Sequence, residues 1–213
     1  MNDLISKFSH ELRNALTSAY STVQLIESRH PEVQEFKYWP ALSEDLVFMN
    51  DLITMFSNFA KVERIRLNPL SSKALLEQVS LSFAASIADS QVEYTSKLDS
   101  SLPMIKGDEV TLKEVFRNLL KNAYDACLPD QTIYLEASYT DSELIVQIKD
   151  TGCGIPEEYM PTLFDPFVTH KKDGTGLGLA ICNQIIQSHG GKIEVQSTLG
   201  VGTIFTVSLP RGD

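Results

Sequence analysis

Apolar residues recur at three- and four-residue steps at Leu4, Phe8, Leu12, Leu16, Ala19, Val23 and Ile26. They form one stripe of an amphipathic helix predicted over roughly 2–29. In the following stretch, SRHPEVQEFKYWP, Pro31 and Pro40 bracket a connection that cannot continue that helix. Helical periodicity resumes in ALSEDLVFMNDLITMFSNFAKVERI, where Leu42, Leu46, Met49, Ile53, Phe56 and Ala60 keep a 4-3-4-3-4 spacing. That is the a/d seam of a helical bundle. The two helices make a hairpin with more apolar stripe than it can cover by itself. Pairing with a second copy in a four-helix bundle resolves this, so a homodimer is expected.

The pattern changes after RLNPLS, Arg66 to Ser71, read as a linker between a helical domain over 1–67 and a mixed domain over 68–213. A helix is expected near 72–88, short strands near 92–96 and 104–106, and a strong helix near 108–127. The apolar face of that last helix is Val110, Leu112, Val115, Leu119, Leu120 and Ala123. TIYLEASYTDSELIVQIKD alternates as a β-hairpin turning near Thr140 to Ser142. A helix near 178–189 stops at a Gly-Gly pair, and KIEVQS and GTIFTVSLP close the chain as strands. Strands gathered against three helices predict an α+β two-layer sandwich behind the all-α hairpin.

Composition narrows the classes of function. With 43% hydrophobic and 22% charged residues in 213, the chain can build a real core. A net charge of -10 argues against a nucleic-acid surface, which wants clustered Lys and Arg. Cys127, Cys153 and Cys182 show neither disulfide nor zinc spacing, which suits a reducing, cytoplasmic setting. No membrane segment is expected, since no run of about 18 apolar residues occurs, and MNDLISKFSHE does not read as a signal peptide. The helical pattern is already running at Leu4 and Ile5, however, which points to a longer parent whose upstream region could be membrane-bound.

Candidate chemistry lies in three stretches, NLLKNAYDA (118–126), DTGCGIP (150–156) and GTGLGLA (174–180). Gly-rich turns let backbone N–H groups approach phosphate, and the helix N-terminus after GTGLGLA adds a favourable partial charge. No GK[ST] follows, so this is not a Walker A loop, and no parallel βαβ unit makes a dinucleotide fingerprint. Asp150 ends an apolar strand at a glycine turn, where its carboxylate can accept from an exocyclic amine, favouring adenine over guanine. Asn118 and Asn122 share a helix face, where their side-chain carbonyls either hold Mg²⁺ or simply meet solvent. Lys121 is placed to add positive charge.

The stretches and their order resemble the ATP-binding domain of sensor histidine kinases, in the superfamily that includes DNA gyrase, the mismatch-repair ATPase and a heat-shock chaperone. NLLKNAYDA resembles the N box, DTGCGIP the G1 box, FDPFVTHK the F box, GTGLGLA the G2 box and GTIF (202–205) the closing glycine motif. The resemblance implies ATP and Mg²⁺ as cofactors. It puts Asn122 on the metal with Asn118 in support, and Asp150 on the adenine amine. It gives Gly152, Gly154, Gly174, Gly176 and Gly178 the shaping of a lid and its hinges. That lid would run over 157–175, packed by Phe164 and Phe167, with Lys171 or Lys172 reaching the phosphates. Lys121, Ile155, Thr175, Leu177 and Thr203 complete the implied nucleotide site. His170 and His189 are assigned to structure, the latter as a helix C-terminal residue where positive charge is welcome.

One histidine stands apart. At 100° per residue His10 points about 180° from the centre of the first helix's stripe, with Thr17 nearly in line and Asn14 about 40° away. HELRN resembles the H box of the dimerisation and phosphoacceptor domain of the same kinases. By that resemblance His10 would take the γ-phosphoryl of ATP, Glu11 would orient the ring and accept its proton, and Asn14 would position water for a phosphatase reaction. The phosphoryl group would pass to an aspartate of a response regulator receiver domain, docked near Thr17, Ser18, Tyr20, Ser21 and Gln24. Rival readings are a non-kinase ATPase of the superfamily and an ATP-binding scaffold or phosphatase-dominant regulator. The family commonly has proline five residues after the histidine; here it is Ala15, so the helix should run through without a sharp kink.

Overall fold

A computed structural model describes residues 2–61, 65–170 and 175–212, without the side chains of 2–10, 51–52 and 54–61. The chain divides into two compact units, Met1–Glu63 and Arg64–Asp213.

In the first unit α1 (Asn2–Arg29) runs unbroken through Ala15, as befits the best helix former at that position. A 3-10 turn, Pro31–Glu35, leads to α2 (Trp39–Lys61). Pro40 falls in the first turn of α2 rather than in the connection, because the N–H it lacks has no helical partner there. The two helices pack together over buried Val23, Val33 and Leu46. Glu27 on α1 staples the start of α2: its carboxylate accepts from Trp39 Nε1 at 2.8 Å and from the Ser43 hydroxyl at 3.2 Å. Of the expected seam, the side chains of Phe56 and Ala60 lie outside the described residues.

The second unit contains β1 (Asn68–Ser71), α3 (Ser72–Ser86), β2 (Glu93–Leu98), β3 (Met104–Gly107) and α4 (Glu109–Ala126). β4 (Thr132–Tyr139), β5 (Glu143–Asp150), α5 (Gly178–Ser188), β6 (Lys192–Thr198) and β7 (Gly202–Pro210) complete it. The main sheet has the order β2-β4-β5-β7-β6, with only the β2–β4 pair parallel. Strict alternation buries Leu144, Val146, Ile148 and Asp150 of β5. The helices pack on that face, with Leu112, Val115, Phe116, Leu119 and Leu120 of α4 at the centre.

Three expectations are corrected. RLNPLS is not only a linker: its last four residues form β1, paired antiparallel with β3 through Leu70 and Ile105. Pro69 is tolerated because a two-stranded ribbon has an open edge. Val110 is 75% exposed, since at 100° per residue it points about 150° away from the buried face of α4, and Phe116 belongs to that face instead. His189 is the C-cap of α5 but carries no welcome positive charge. Buried among apolar neighbours, its Nε2 accepts the Asp108 N–H at 3.0 Å, so Nδ1 holds the proton and donates it to Ile185 O at 2.8 Å. Burial holds its pKa below the usual value, against the upward pull of the Ile185 carbonyl and Asp108. The ring is a neutral bridge from the end of α5 to the N-cap of α4.

Candidate functional site

The last residue of β5 begins the site. Asp150 pairs across the sheet with Thr203 of β7, and Thr203 pairs in turn with Ser197 of β6. All three stand on the helix-facing side of the sheet, a polar row at the end of an apolar face. Asp150 Oδ1 accepts the Gly152 N–H at 2.9 Å and the Thr203 N–H at 3.3 Å. Both protein donors fall on one oxygen, and Oδ2 is left as an acceptor for an incoming group. Burial pushes this carboxyl above its usual value, while the two N–H groups hold it down.

Backbone contacts lock the turn after Asp150. The Cys153 N–H donates to Ala126 O at 3.0 Å at the end of α4, and the Gly200 N–H donates to Cys153 O at 2.8 Å from the β6–β7 turn. A Cβ on Gly152 would collide with Ala126 O, and one on Gly154, at φ 70°, with Thr198 O. Ile155 is half-buried, its N–H bound to the Ser197 hydroxyl at 2.8 Å. These glycines are fixed by close backbone approach within the protein.

Asn118 and Asn122, both half-buried, face outward from α4, and Lys121 between them is exposed. A Cβ on Gly178 would come to 3.8 Å from Asn118 Oδ1, so the start of α5 opens toward that amide. The N-cap of α5, Leu177, offers no side-chain acceptor to the first-turn N–H groups, the kind of helix start that can receive an anion. Leu177 itself is buried in the core, and only its backbone can serve the site. Thr175 is half-buried and its hydroxyl accepts the Leu177 N–H at 3.3 Å. Carboxamide oxygens beside such N–H groups fit a hard cation that keeps most of its ligands from water and phosphate. Among the described residues no cluster of three His, Cys, Asp or Glu could hold a metal unaided.

The segment after DTGCGIP holds a 3-10 helix, Glu157–Thr162, and Phe164 is half-buried behind it. Phe167 differs from the expected packing residue. It is 66% exposed at φ 65°, and its N–H donates to Gly176 O at 3.0 Å, because a left-handed residue turns the chain outward here. The exposed His170 ring stacks on Tyr159 with centroids 3.4 Å apart. Lys171, Lys172 and Gly174 lie outside the described residues, as does the side chain of His10 on α1. Glu11 and Asn14, one and four positions further along α1, are exposed.

Three contacts had no warning in the motifs: the Ser197 hydroxyl, the His189 bridge and the Tyr159–His170 stack. For Ser197 a signal existed, a polar residue at an inward position of the alternating KIEVQS strand.

A deep carboxylate with one free oxygen, a glycine-shaped turn and an uncapped helix start facing an amide define a nucleotide site on an α/β sandwich. The model of the histidine kinase-, DNA gyrase B- and HSP90-like ATPase family matches residues 107–213. The chain belongs to that family. It is 32% identical, over 99% of its length, to the signal transduction histidine-protein kinase AtoS of Escherichia coli strain K12, covering 35% of that protein. It is 30% identical, over 98% of its length, to sporulation kinase C of Bacillus subtilis strain 168, covering 49% of it. The crystal structure of full-length ShkA in complex with AMPPNP aligns with a TM-score of 0.84 at 27% identity, over 100% of this chain and 46% of that one. The chain thus spans about a third to a half of the curated relatives it matches.

Proposed function

We propose that the chain is the catalytic core of a protein-histidine kinase: it binds ATP in the α/β unit, phosphorylates His10, and passes the phosphoryl group to an aspartate of a response regulator. The observation that carries the reading is Asp150, buried at the end of β5 with both protein donors on Oδ1 and Oδ2 open to an adenine amine. The HELRN stretch on α1 adds the acceptor. In this reading residues 1–67 are the phosphoacceptor domain, a homodimeric four-helix bundle, and 68–213 the ATP-binding domain.

Each side chain then has a task. Asp150 selects the base, and Thr203 orients it. The N–H groups at the start of α5 meet phosphate oxygens, with Thr175 holding that turn. Asn122, with Asn118, would hold Mg²⁺, which supplies charge neutralisation to the phosphates. Lys121, Lys171 and Lys172 add positive charge around them. The lone pair of one His10 ring nitrogen forms the N–P bond as the γ-phosphoryl leaves ADP, and the proton on the other ring nitrogen goes to Glu11. A neutral imidazole is competent because its ordinary pKa lies near 6.5. Asn14 positions water for hydrolysis of the phosphorylated regulator. The parent would place this core in the cytoplasm, whether or not it has a membrane anchor elsewhere. Among the described residues no helix is long and apolar enough to cross a membrane.

The test is incubation with γ-phosphate-labelled ATP. Acid-labile, base-stable label on the chain, absent from His10→Gln and transferred to a receiver domain, is expected. Label at the wild-type level in His10→Gln, or ATP hydrolysis with no label on protein, would overturn the assignment in favour of a non-kinase ATPase.

A further inference from the structure

Ser197 has no place in the glycine and asparagine motifs, yet its hydroxyl touches three parts of the nucleotide site. Oγ lies 2.8 Å from the Ile155 nitrogen, 2.9 Å from Thr203 Oγ1 and 3.0 Å from Gly202 O. A hydroxyl has one proton and two acceptor sites. The Ile155 N–H can only donate and the Gly202 carbonyl can only accept. All three contacts are satisfied at once only if Ser197 gives its proton to Gly202 O and Thr203 is the donor to Ser197. All three of Ser197's bonding sites are then used, and the proton of Thr203 is committed to Ser197.

That commitment sets the polarity of the pocket. With its proton directed at Ser197, Thr203 Oγ1 offers only lone pairs. Its cross-strand partner Asp150 likewise offers only an acceptor, Oδ2. Two acceptors side by side match the two hydrogens of an exocyclic amine and repel a carbonyl oxygen at the same position. Without Ser197 the Thr203 hydroxyl is free to rotate. Its register partner stands about 5 Å away at Cβ, within reach of an O–H···O⁻ bond. Such a bond would occupy the carboxylate that the base needs. We propose that Ser197 is a positioning residue that fixes the hydrogen-bond polarity of Thr203 and so determines selection of a 6-amino purine at Asp150.

The inference rests on the reading of Asp150 as the amine acceptor, and the test separates the two. Affinities of the full chain for ADP and for purine riboside 5′-diphosphate, which lacks the 6-amino group, are measured by titration calorimetry in the wild type, Ser197→Ala and Ser197→Thr. The wild type should prefer ADP. Ser197→Ala should lose about tenfold in ADP affinity and less than about twofold for the purine riboside ligand, the scale of one hydrogen bond. Ser197→Thr, which keeps the hydroxyl, should restore the preference. If the wild type binds both ligands equally, the reading of Asp150 fails and the inference falls with it. If the wild type discriminates but Ser197→Ala weakens both ligands equally, or leaves ADP unchanged, only the role of Ser197 is overturned. Should Ser197→Ala melt below the assay temperature, Ser197→Cys, which keeps the shape without a strong hydroxyl, is read in the same way.

Discussion

Leu112, Val115, Phe116, Leu119 and Leu120 of α4 are wholly covered by their own chain, whereas Leu12, Leu42, Val47, Phe48 and Met49 of the helical pair are between 38% and 45% exposed. The same kind of apolar periodicity therefore has two outcomes. In the α/β unit three helices and a five-stranded sheet share one core, so every inward position finds neighbours. Two helices leave their outer seam open to water, and a seam of this length is covered economically by a second copy. The sandwich covers its own core, and in the proposed dimer the helical pair is half of a bundle.

Cutting the chain between the units should have the largest effect. Residues 64–213 alone should stay monomeric in sedimentation and melt at a temperature independent of concentration. Residues 1–63 alone should lose most of their helical circular dichroism on dilution, because association supplies their core. A monomeric full chain, or a helical pair whose melting ignores concentration, would break the comparison.

Single substitutions sharpen it. Phe116→Ala should cost about 3–5 kcal/mol at any protein concentration, as removal of a buried ring does. Met49→Ala should cost under about 1 kcal/mol if its exposure in one chain were the whole account, and over about 2 kcal/mol with a concentration-dependent melt if a second copy covers it. Gly176→Ala should lower both stability, by about 1–3 kcal/mol, and nucleotide turnover. The backbone explains why: Gly176 sits at φ 67°, and a Cβ there would come within 2.6 Å of Phe167 C and Val168 N. The collision is with the protein's own turn at Phe167 and Val168.

The difference between the units also explains what was legible in the sequence. Helix periodicity alone placed α1 and α2, and Gly152, Gly154 and Gly176 marked turns that local backbone geometry demands. Asp150 was legible as the polar end of an apolar strand. Contacts that depend on strand register were not: Ser197 meets Ile155 only because β6 pairs with β7 at Thr203, and no local pattern states that pairing. β1 was hidden because Asn68 and Pro69 read as a turn and its partner lies over 30 residues away, beyond α3 and β2. The face of α4 was misread at Val110, which lies on the opposite side of the helix from Leu112 and Leu119, and at Phe116, which that face includes.

The smallest predicted effect concerns acid stability, and it belongs to the α/β unit alone. Folding holds the His189 pKa below its unfolded value because the ring is buried and its Nε2 is already an acceptor for the Asp108 N–H. The unfolded chain therefore binds the extra proton more readily. The stability contributed by the neutral ring is fully present above about pH 6.5 and is lost as pH falls below it. Asp150 works with the opposite sign, since burial raises its folded pKa and protonation there favours the folded state. The carboxyl of Asp108 sits below its usual value because N–H groups of Thr111 and Arg66 outweigh burial, so its loss comes at more acidic pH still. Chemical denaturation of residues 64–213 between about pH 7 and pH 5 should consequently show stability falling with pH. His189→Gln, whose side-chain oxygen can still accept the Asp108 N–H but cannot titrate, should flatten that slope. A slope unchanged by the substitution would mean that the bridge from α5 to α4 carries no proton linkage.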